Sequence, residues 1–389
     1  MKTASSAASW STIQPQDVHK SPVALLCLSE YWRGLEEQTF RLASQLRDDG
    51  HPLTLLVRAG SPLQQQAQAH GLPSLALPAG TGRTVLQLSA WLRREKVGLL
   101  LTTHPMDLGI ATLLKLAGPP LRWVHHQAEP LPVRSPRHGR WLTWQLRFVD
   151  AWLAPTMAQA HYLRRQHAFD LRRIWVVAPA LPPGLGCAET SCSPPTARRL
   201  LDLPQTVPLV GVLDRGGEGA AFAVEALYHL RQEYGSAAEL VVVGGPDSPD
   251  CPARWDRMRK VALQLHVEQF VHLRPLHNGY ASALFFRAAT ALLLPAPADA
   301  TDLPLLHALA SGCPVVSCAS TETGTSATQQ LAGQFPVHDV VACVRGLARV
   351  LGDATAPDRA QQVAAGIWRQ HNAAEHAQQV GAILEYVSH

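Results

Sequence analysis

Short apolar runs alternate with amphipathic stretches along most of the chain, and the alternation occurs twice. In the first half, apolar runs at 23–28, 52–57, 73–77, 98–102 and 121–125 predict buried strands. The 3.6-residue patterns at 35–50, 65–70, 84–96 and 107–116 predict helices between them. Further strands are expected at 151–155 and 174–177. After a stretch rich in Pro, Gly, Ser and Cys (178–208), strands at 209–213, 239–243, 270–273 and 291–294 alternate with helices at 220–234, 253–265 and 280–288. This rhythm predicts two α/β domains, each a doubly wound parallel sheet with helices on both faces, facing one another across a cleft where ligands bind. The expected division is a disordered extension (1–21), an N-terminal domain (22–180), a linker (181–207), a C-terminal domain (208–365) and a helix packing back across the domains (366–389).

The stretch 299–316, DATDLPLLHALASGCPVV, is the most informative. The apolar run before it predicts a strand entering a polar turn with Asp299, Thr301 and Asp302. Thr301 or Asp302 suits the cap of the next helix and Pro304 its first turn. Leu305, Leu306, Leu309 and Ala310 form its apolar stripe, and Gly312 predicts a left-handed C-cap. A phosphate outside the carboxyl end of that strand would meet unpaired N–H groups and the positive end of the helix dipole, although any strand–loop–helix also serves core packing.

At 389 residues the chain exceeds what one core usually fills, which agrees with two domains. Hydrophobic residues at 47% and charged residues at 16% mark a globular chain. The net charge of +4 tolerates phosphate, nucleic acid or anionic lipid without requiring any of them. Seven cysteines without a CxxC pair read as reduced thiols in a cytosolic setting. The N-terminus lacks the apolar core of a signal peptide, and no run approaches the roughly 20 apolar residues of a spanning helix. A cytoplasmic protein is expected, with peripheral membrane contact at most.

Several landmarks together resemble the family 4 retaining glycosyltransferases, from 22 to 389. They are Gly34-Leu35-Glu36 with Arg41-Leu42-Ala43, Leu46 and Gly50-His51; the segment Asp150-Ala151-Trp152-Leu153-Ala154-Pro155-Thr156; and Val210-Gly211, Val243-Gly244-Gly245-Pro246 and Gly312-Cys313-Pro314-Val315-Val316. Each is weak alone, but their order and spacing are specific. The resemblance implies the two-Rossmann architecture called GT-B and transfer of a sugar from a nucleotide-diphosphate sugar to a glycan or lipid-linked acceptor. It implies polysaccharide or cell-envelope biosynthesis as the setting, no cofactor beyond the donor, no metal, and no nucleic acid partner.

Departures fall at the donor positions the resemblance assigns. Asp299 and His307 stand where the family carries an acidic residue and, eight positions later, a glutamate for the ribose hydroxyls. Aspartate shortens the reach by on the order of 1.5 Å, and histidine offers fewer acceptor sites than a carboxylate. In VGVLDRGGEG (210–219), Val212 and Glu218 replace the arginine and lysine that neutralise the diphosphate. Arg215 is the nearest substitute cation, able to hold phosphate bidentately, or else a solvated loop arginine. By the same resemblance, Gly211 and the backbone of Leu303, Leu305 and Leu306 bind the donor.

In the N-terminal half, His126 matches the histidine that contacts the transferred sugar, with His104 as reserve. Gly34 permits close backbone approach to phosphate or sugar and also makes the turn. The segment 134–148 carries Arg134, Arg137, Arg140 and Arg147 around Trp141, Trp144 and Phe148. The aromatics are expected in the core, and the arginines on a lipid-facing or acceptor-facing rim. No Asp-x-Asp or His/Glu set stands at metal-ligand spacing. Beside the transferase, Val212, Glu218 and His307 keep open a catalytically silent partner subunit of a glycan-assembly complex, and, more distantly, a sugar-nucleotide epimerase of similar architecture.

Overall fold

The computed structural model describes residues 20–32, 34–128, 136–181, 192–214, 218–244, 251–275, 279–296, 303–319 and 330–389. Outside them lie 1–19 of the expected extension, 182–191 of the linker, and Arg215, Gly245, Pro246, Asp299, Thr301, Asp302 and Arg134. The chain divides into two compact units, one of residues 1–182 with 371–389, the other of 183–370. Residues from His371 onward belong to the first unit. No helix among the described residues is long and apolar enough to cross a membrane.

The first unit runs β1 (Val23–Cys27), α1 (Gly34–Asp48), β2 (Leu53–Arg58), α2 (Pro62–Ala69), β3 (Ser74–Leu77), α3 (Thr81–Arg94), β4 (Leu99–Thr102), α4 (Leu108–Ala117), β5 (Arg122–His126), α5 (Pro136–Leu146), β6 (Ala151–Ala154), α6 (Met157–His167) and β7 (Ile174–Val176). Its seven strands form one parallel sheet in the order β3-β2-β1-β4-β5-β6-β7. β1, β4 and β6 are buried along their whole length, as expected for strands covered on both faces. Leu25, Leu55 and Leu101 point to one core cluster, Ala24, Leu56 and Leu100 to another. Caps fix the helix starts that apolar periodicity leaves open. Ser61 Oγ accepts from Gln64 N at 3.2 Å ahead of α2, and Thr156 Oγ1 accepts from Gln159 N at 3.2 Å ahead of α6.

The second unit begins its described part with α7 (Pro194–Leu200), inside the stretch expected as linker. Its apolar content is too small to show a period, but Ser193 caps it and Pro194 sits at its first turn. There follow β8 (Leu209–Asp214), α8 (Gly219–Tyr234), β9 (Glu239–Gly244), α9 (Cys251–Gln264), β10 (Val271–Pro275), α10 (Gly279–Ala288), β11 (Ala291–Leu294), α11 (Leu303–Ala310), β12 (Val315–Cys318), β13 (Gly333–Phe335), α12 (Val340–Gly352) and α13 (Ala356–Gln370). The sheet is parallel in the order β10-β9-β8-β11-β12-β13. Gly312 takes the left-handed C-cap with φ 70° that its place after α11 predicts.

The C-terminal helical stretch is broken between 370 and 373. α13 ends at Gln370, and α14 (Ala373–Ser388) restarts where Asn372 Oδ1 accepts from Ala374 N at 2.9 Å. α14 seals the first unit, with Ala377, Val380, Ile383 and Leu384 in the same core cluster as α1.

Candidate functional site

Each sheet has one place where its winding reverses. In the first unit β1 and β4 are neighbours, and α1 and α4 pack into the two different core clusters. In the second unit the reversal lies between β8 and β11. Ligands of open parallel sheets bind outside the carboxyl ends of strands at such points.

At the first switch point lies a cavity of about 680 Å³, within the range of small-molecule sites. Leu28–Tyr31 after β1, Arg58 at the end of β2 and His104–Asp107 after β4 bring polar groups to it, and α4 and α5 close it with Leu113, Trp141 and Trp144. Asp107 immediately precedes α4, yet its carboxylate does not cap that helix. Oδ2 instead accepts from Leu28 N at 3.1 Å, tying the turn after β4 to the end of β1. Burial pushes the Asp107 carboxyl up to about 7, against the opposing pull of the Leu28 N–H and Arg58. A carboxyl in this position changes charge near neutral pH.

Arg58 Nη1 donates to Pro78 O at 2.6 Å, and its buried Nε lies 3.7 Å from Glu30 Oε1. His104 Nδ1 accepts from Met106 N at 3.1 Å, which places the proton of a neutral ring on Nε2. Trp141 corrects the expectation that Trp141, Trp144 and Phe148 all enter the core. It is 54% exposed, because Leu142 and Leu146 occupy the core-facing positions of α5. Its ring stacks on Trp144 with centroids 4.7 Å apart. In the amide orientation that satisfies both ends of buried Gln145, Oε1 accepts from Trp141 Nε1 at 3.1 Å and from Gly109 N at 3.3 Å.

The two histidines ending β5 separate onto opposite faces of the sheet. His125 packs against Trp152 on the α4–α5 side, and Thr102 Oγ1 contacts its Nδ1 at 2.8 Å while accepting from Trp123 Nε1. Burial lowers its pKa to about 3. His126 lies on the α14 side, its ring edge-on to His376 with centroids 5.1 Å apart. Burial first, then His376 and His125, hold it well below the ordinary imidazole value, so it is neutral at pH 7. Its buried Nδ1 has no hydrogen-bond partner among the described residues. His376 is fixed by Nδ1 donating to Ala178 O at 2.7 Å. His126 thus sits apart from the group of Glu30, Arg58, His104, Asp107 and Trp141. Gly34 is exposed at the first position of α1.

In the second unit Gly211 is central in β8, and a Cβ there would come within 2.7 Å of the Phe285 ring, so packing against α10 requires glycine. Val212 is fully buried in the core. Asp214, ending β8, is held by Arg254 of α9 at 3.0 and 3.1 Å. Glu218 is exposed just ahead of α8. Leu303, Leu305, Leu306 and His307 make up most of the first turns of α11. Leu305 and Leu306 are buried to 0% exposure, leaving only their backbone to face a ligand. His307 packs edge-on to Phe286. Arg215 and Asp299 follow β8 and β11 outside the described residues.

The sequence reading did not single out Asp107, Glu30, Arg58 or Trp141 as site residues. In the sequence Asp107 is only the first residue of the helix expected at 107–116, and its bond to Leu28 spans 79 positions, a separation no local pattern reveals.

Comparison with known proteins agrees with both units. The family model described as Glycosyltransferase Family 4 matches residues 32–183, and that described as Glycosyl transferases group 1 matches 204–353. A D-inositol 3-phosphate glycosyltransferase of Streptomyces scabiei is 30% identical over 244 residues, 61% of this chain and 52% of the relative. The chain thus spans about half the length of such relatives. Among solved structures, a glycosyltransferase from Rickettsia africae superposes with a TM-score of 0.80 at 12% identity, covering 95% of this chain and 99% of the other. Anabaena HepE in complex with UDP and glucose gives 0.79 at 14%, covering 94% and 100%. Two parallel-sheet units, each matched by its own half of the family, make this chain a member of the family 4, group 1 glycosyltransferases of GT-B fold.

Proposed function

We propose that the chain transfers a hexose from a nucleotide-diphosphate sugar to a glycan or lipid-linked acceptor with retention of configuration. The observation that carries this reading is the cavity at the first unit's switch point, an apolar wall with a few polar groups, in a chain whose second unit has the same winding and ends β11 before the α11 helix. The neighbour that contains UDP and glucose supports the donor class.

In this reading the donor lies on the second unit. Asp299 holds sugar hydroxyls, N–H groups of the first turn of α11 take the diphosphate, Arg215 adds the cation, and His307 meets the ribose. His126 lines the transfer site from the first unit as a neutral hydrogen-bonding group. The acceptor oxygen bonds to the anomeric carbon on the face from which the diphosphate oxygen leaves, and the hydroxyl proton passes to that leaving oxygen. No metal takes part. Arg140 and Arg147, exposed on and just after α5, form the surface that would meet an anionic membrane.

A thermal-shift series with UDP-, GDP- and ADP-sugars tests the reading. Saturable stabilisation by one donor class is expected. The absence of saturable stabilisation across the series would refute it.

A further inference from the structure

Within the proposed transferase reading, on which this inference rests, the cavity's chemistry narrows the acceptor. Among the described residues its charged groups are Glu30, Asp107 and Arg58, and this arginine already donates to Pro78 O and lies against Glu30. A phosphate monoester entering here would meet two carboxyls and one arginine committed elsewhere. Anion sites are built the opposite way, with several convergent donors and cations.

The apolar wall has a different fit. Trp141 keeps more than half its surface exposed, yet its indole N–H is bound to buried Gln145 and one ring face is covered by Trp144. An exposed aromatic ring immobilised in this way is preorganised, so a ligand that covers its open face loses little entropy to ordering it. A sugar ring presents an apolar C–H face for such stacking and hydroxyls at its rim. Carboxylates accept from hydroxyls, and Asp107 and Glu30 supply acceptors at the same cavity.

We infer that this cavity takes an uncharged sugar ring stacked on Trp141, its hydroxyls bonded to Asp107 and Glu30, and not an inositol phosphate such as the one named for the relatives. The acceptor is therefore the neutral end of a saccharide, whether free or lipid-linked.

The test uses the full chain saturated with UDP and ligand-observed saturation-transfer NMR. The probes are the methyl glycosides of glucose, galactose and mannose, with D-inositol 3-phosphate as rival, and UDP binding is followed in the same samples. At least one glycoside should bind with saturation on its ring C–H protons. Trp141→Ala should weaken it roughly tenfold, and Trp141→Phe should retain most of the affinity. Because Trp141 is exposed, neither substitution should unfold the chain, and unchanged melting checks this. Tighter binding of inositol phosphate than of every glycoside overturns the inference. So does glycoside binding indifferent to Trp141→Ala, and so does UDP binding with no glycoside binding. That last result leaves the transferase reading intact; a chain that does not bind UDP is put through the same test with GDP and ADP, and failure to bind any of the three counts against the transferase itself.

Discussion

The two switch points have the same topology and opposite side-chain economies. In the first unit, polar groups gather around an open cavity, and one of them, Asp107, has its carboxyl displaced to about 7 by burial. In the second, the described side chains near the corresponding point serve the fold. Gly211 makes room for Phe285, Val212 fills the core, and Arg254 neutralises Asp214. Other arginines of that unit are bound to backbone carbonyls, Arg198 to Ala288 and Val207, and Arg274 to Leu201 and Asp202. In the proposed reading, a donor diphosphate draws on Arg215 and the amides of α11 for positive charge. One architecture can thus keep a ligand-shaped surface in one half and rely on loops and backbone in the other.

The contrast can be broken most forcefully at Arg254. Its partner Asp214 has a side chain only 2% exposed, so Arg254→Ala leaves a buried charge uncompensated and should cost about 3–5 kcal/mol in denaturant unfolding. Replacing both residues with leucine should recover most of that loss. Gly211→Ala forces a Cβ against Phe285 and should cost about 1–3 kcal/mol, partly restored by Phe285→Leu. If either change were neutral, the claim that these positions serve packing would fail.

Asp107 probes the first unit from the other direction. Its folded carboxyl titrates near 7 against 3.8 for the ordinary group, so the folded state binds the extra proton between these values. Its contribution to stability is full below pH 4 and is lost as pH rises towards and through 7. Asp107→Asn should accordingly stabilise the protein by about 1–3 kcal/mol at pH 8 and by less at pH 5. Melting curves at the two pH values decide the sign.

The buried histidines run oppositely. His125 and His376 titrate near 3 and 4 and His126 well below 6.5, so the unfolded state binds more protons on acidification. Their neutral-form stability is present above pH 6.5 and is lost as pH falls through about 4 for His376 and about 3 for His125. A pH series on His125→Phe should show a shallower loss of stability over that window. The smallest effect is expected at the exposed Arg259–Asp256 pair, where Arg259→Ala should change stability by less than about 0.5 kcal/mol.

The sequence exposed the frame more fully than the site. Buried parallel strands such as 291–294 are continuous apolar runs, so period and length alone located them, and Gly312 marked its helix end by the one residue type that takes positive φ freely. The short α7 and the three-residue β13 carry too few apolar positions to show a period. The candidates Asp299 and His307 rest on family spacing, which assigns them positions in the sequence but no geometry. The Asp107–Leu28 bond and the Trp141–Gln145–Gly109 link were not legible, because each joins segments brought together only by folding. Helical spacing alone placed Trp141 with its core neighbours, whereas the helix turns it outward.

The central claim, that this family member moves sugar from a nucleotide donor through the loop carrying Asp299, is tested most directly by turnover. Purified chain is incubated with labelled UDP-glucose, GDP-mannose and ADP-glucose, with and without methyl glycosides, and release of the nucleotide diphosphate is followed. The account predicts saturable consumption of one donor, faster with a glycoside present, and reduced at least about a hundredfold by Asp299→Ala. Consumption of none of the three donors, or consumption that Asp299→Ala leaves unchanged, would contradict it.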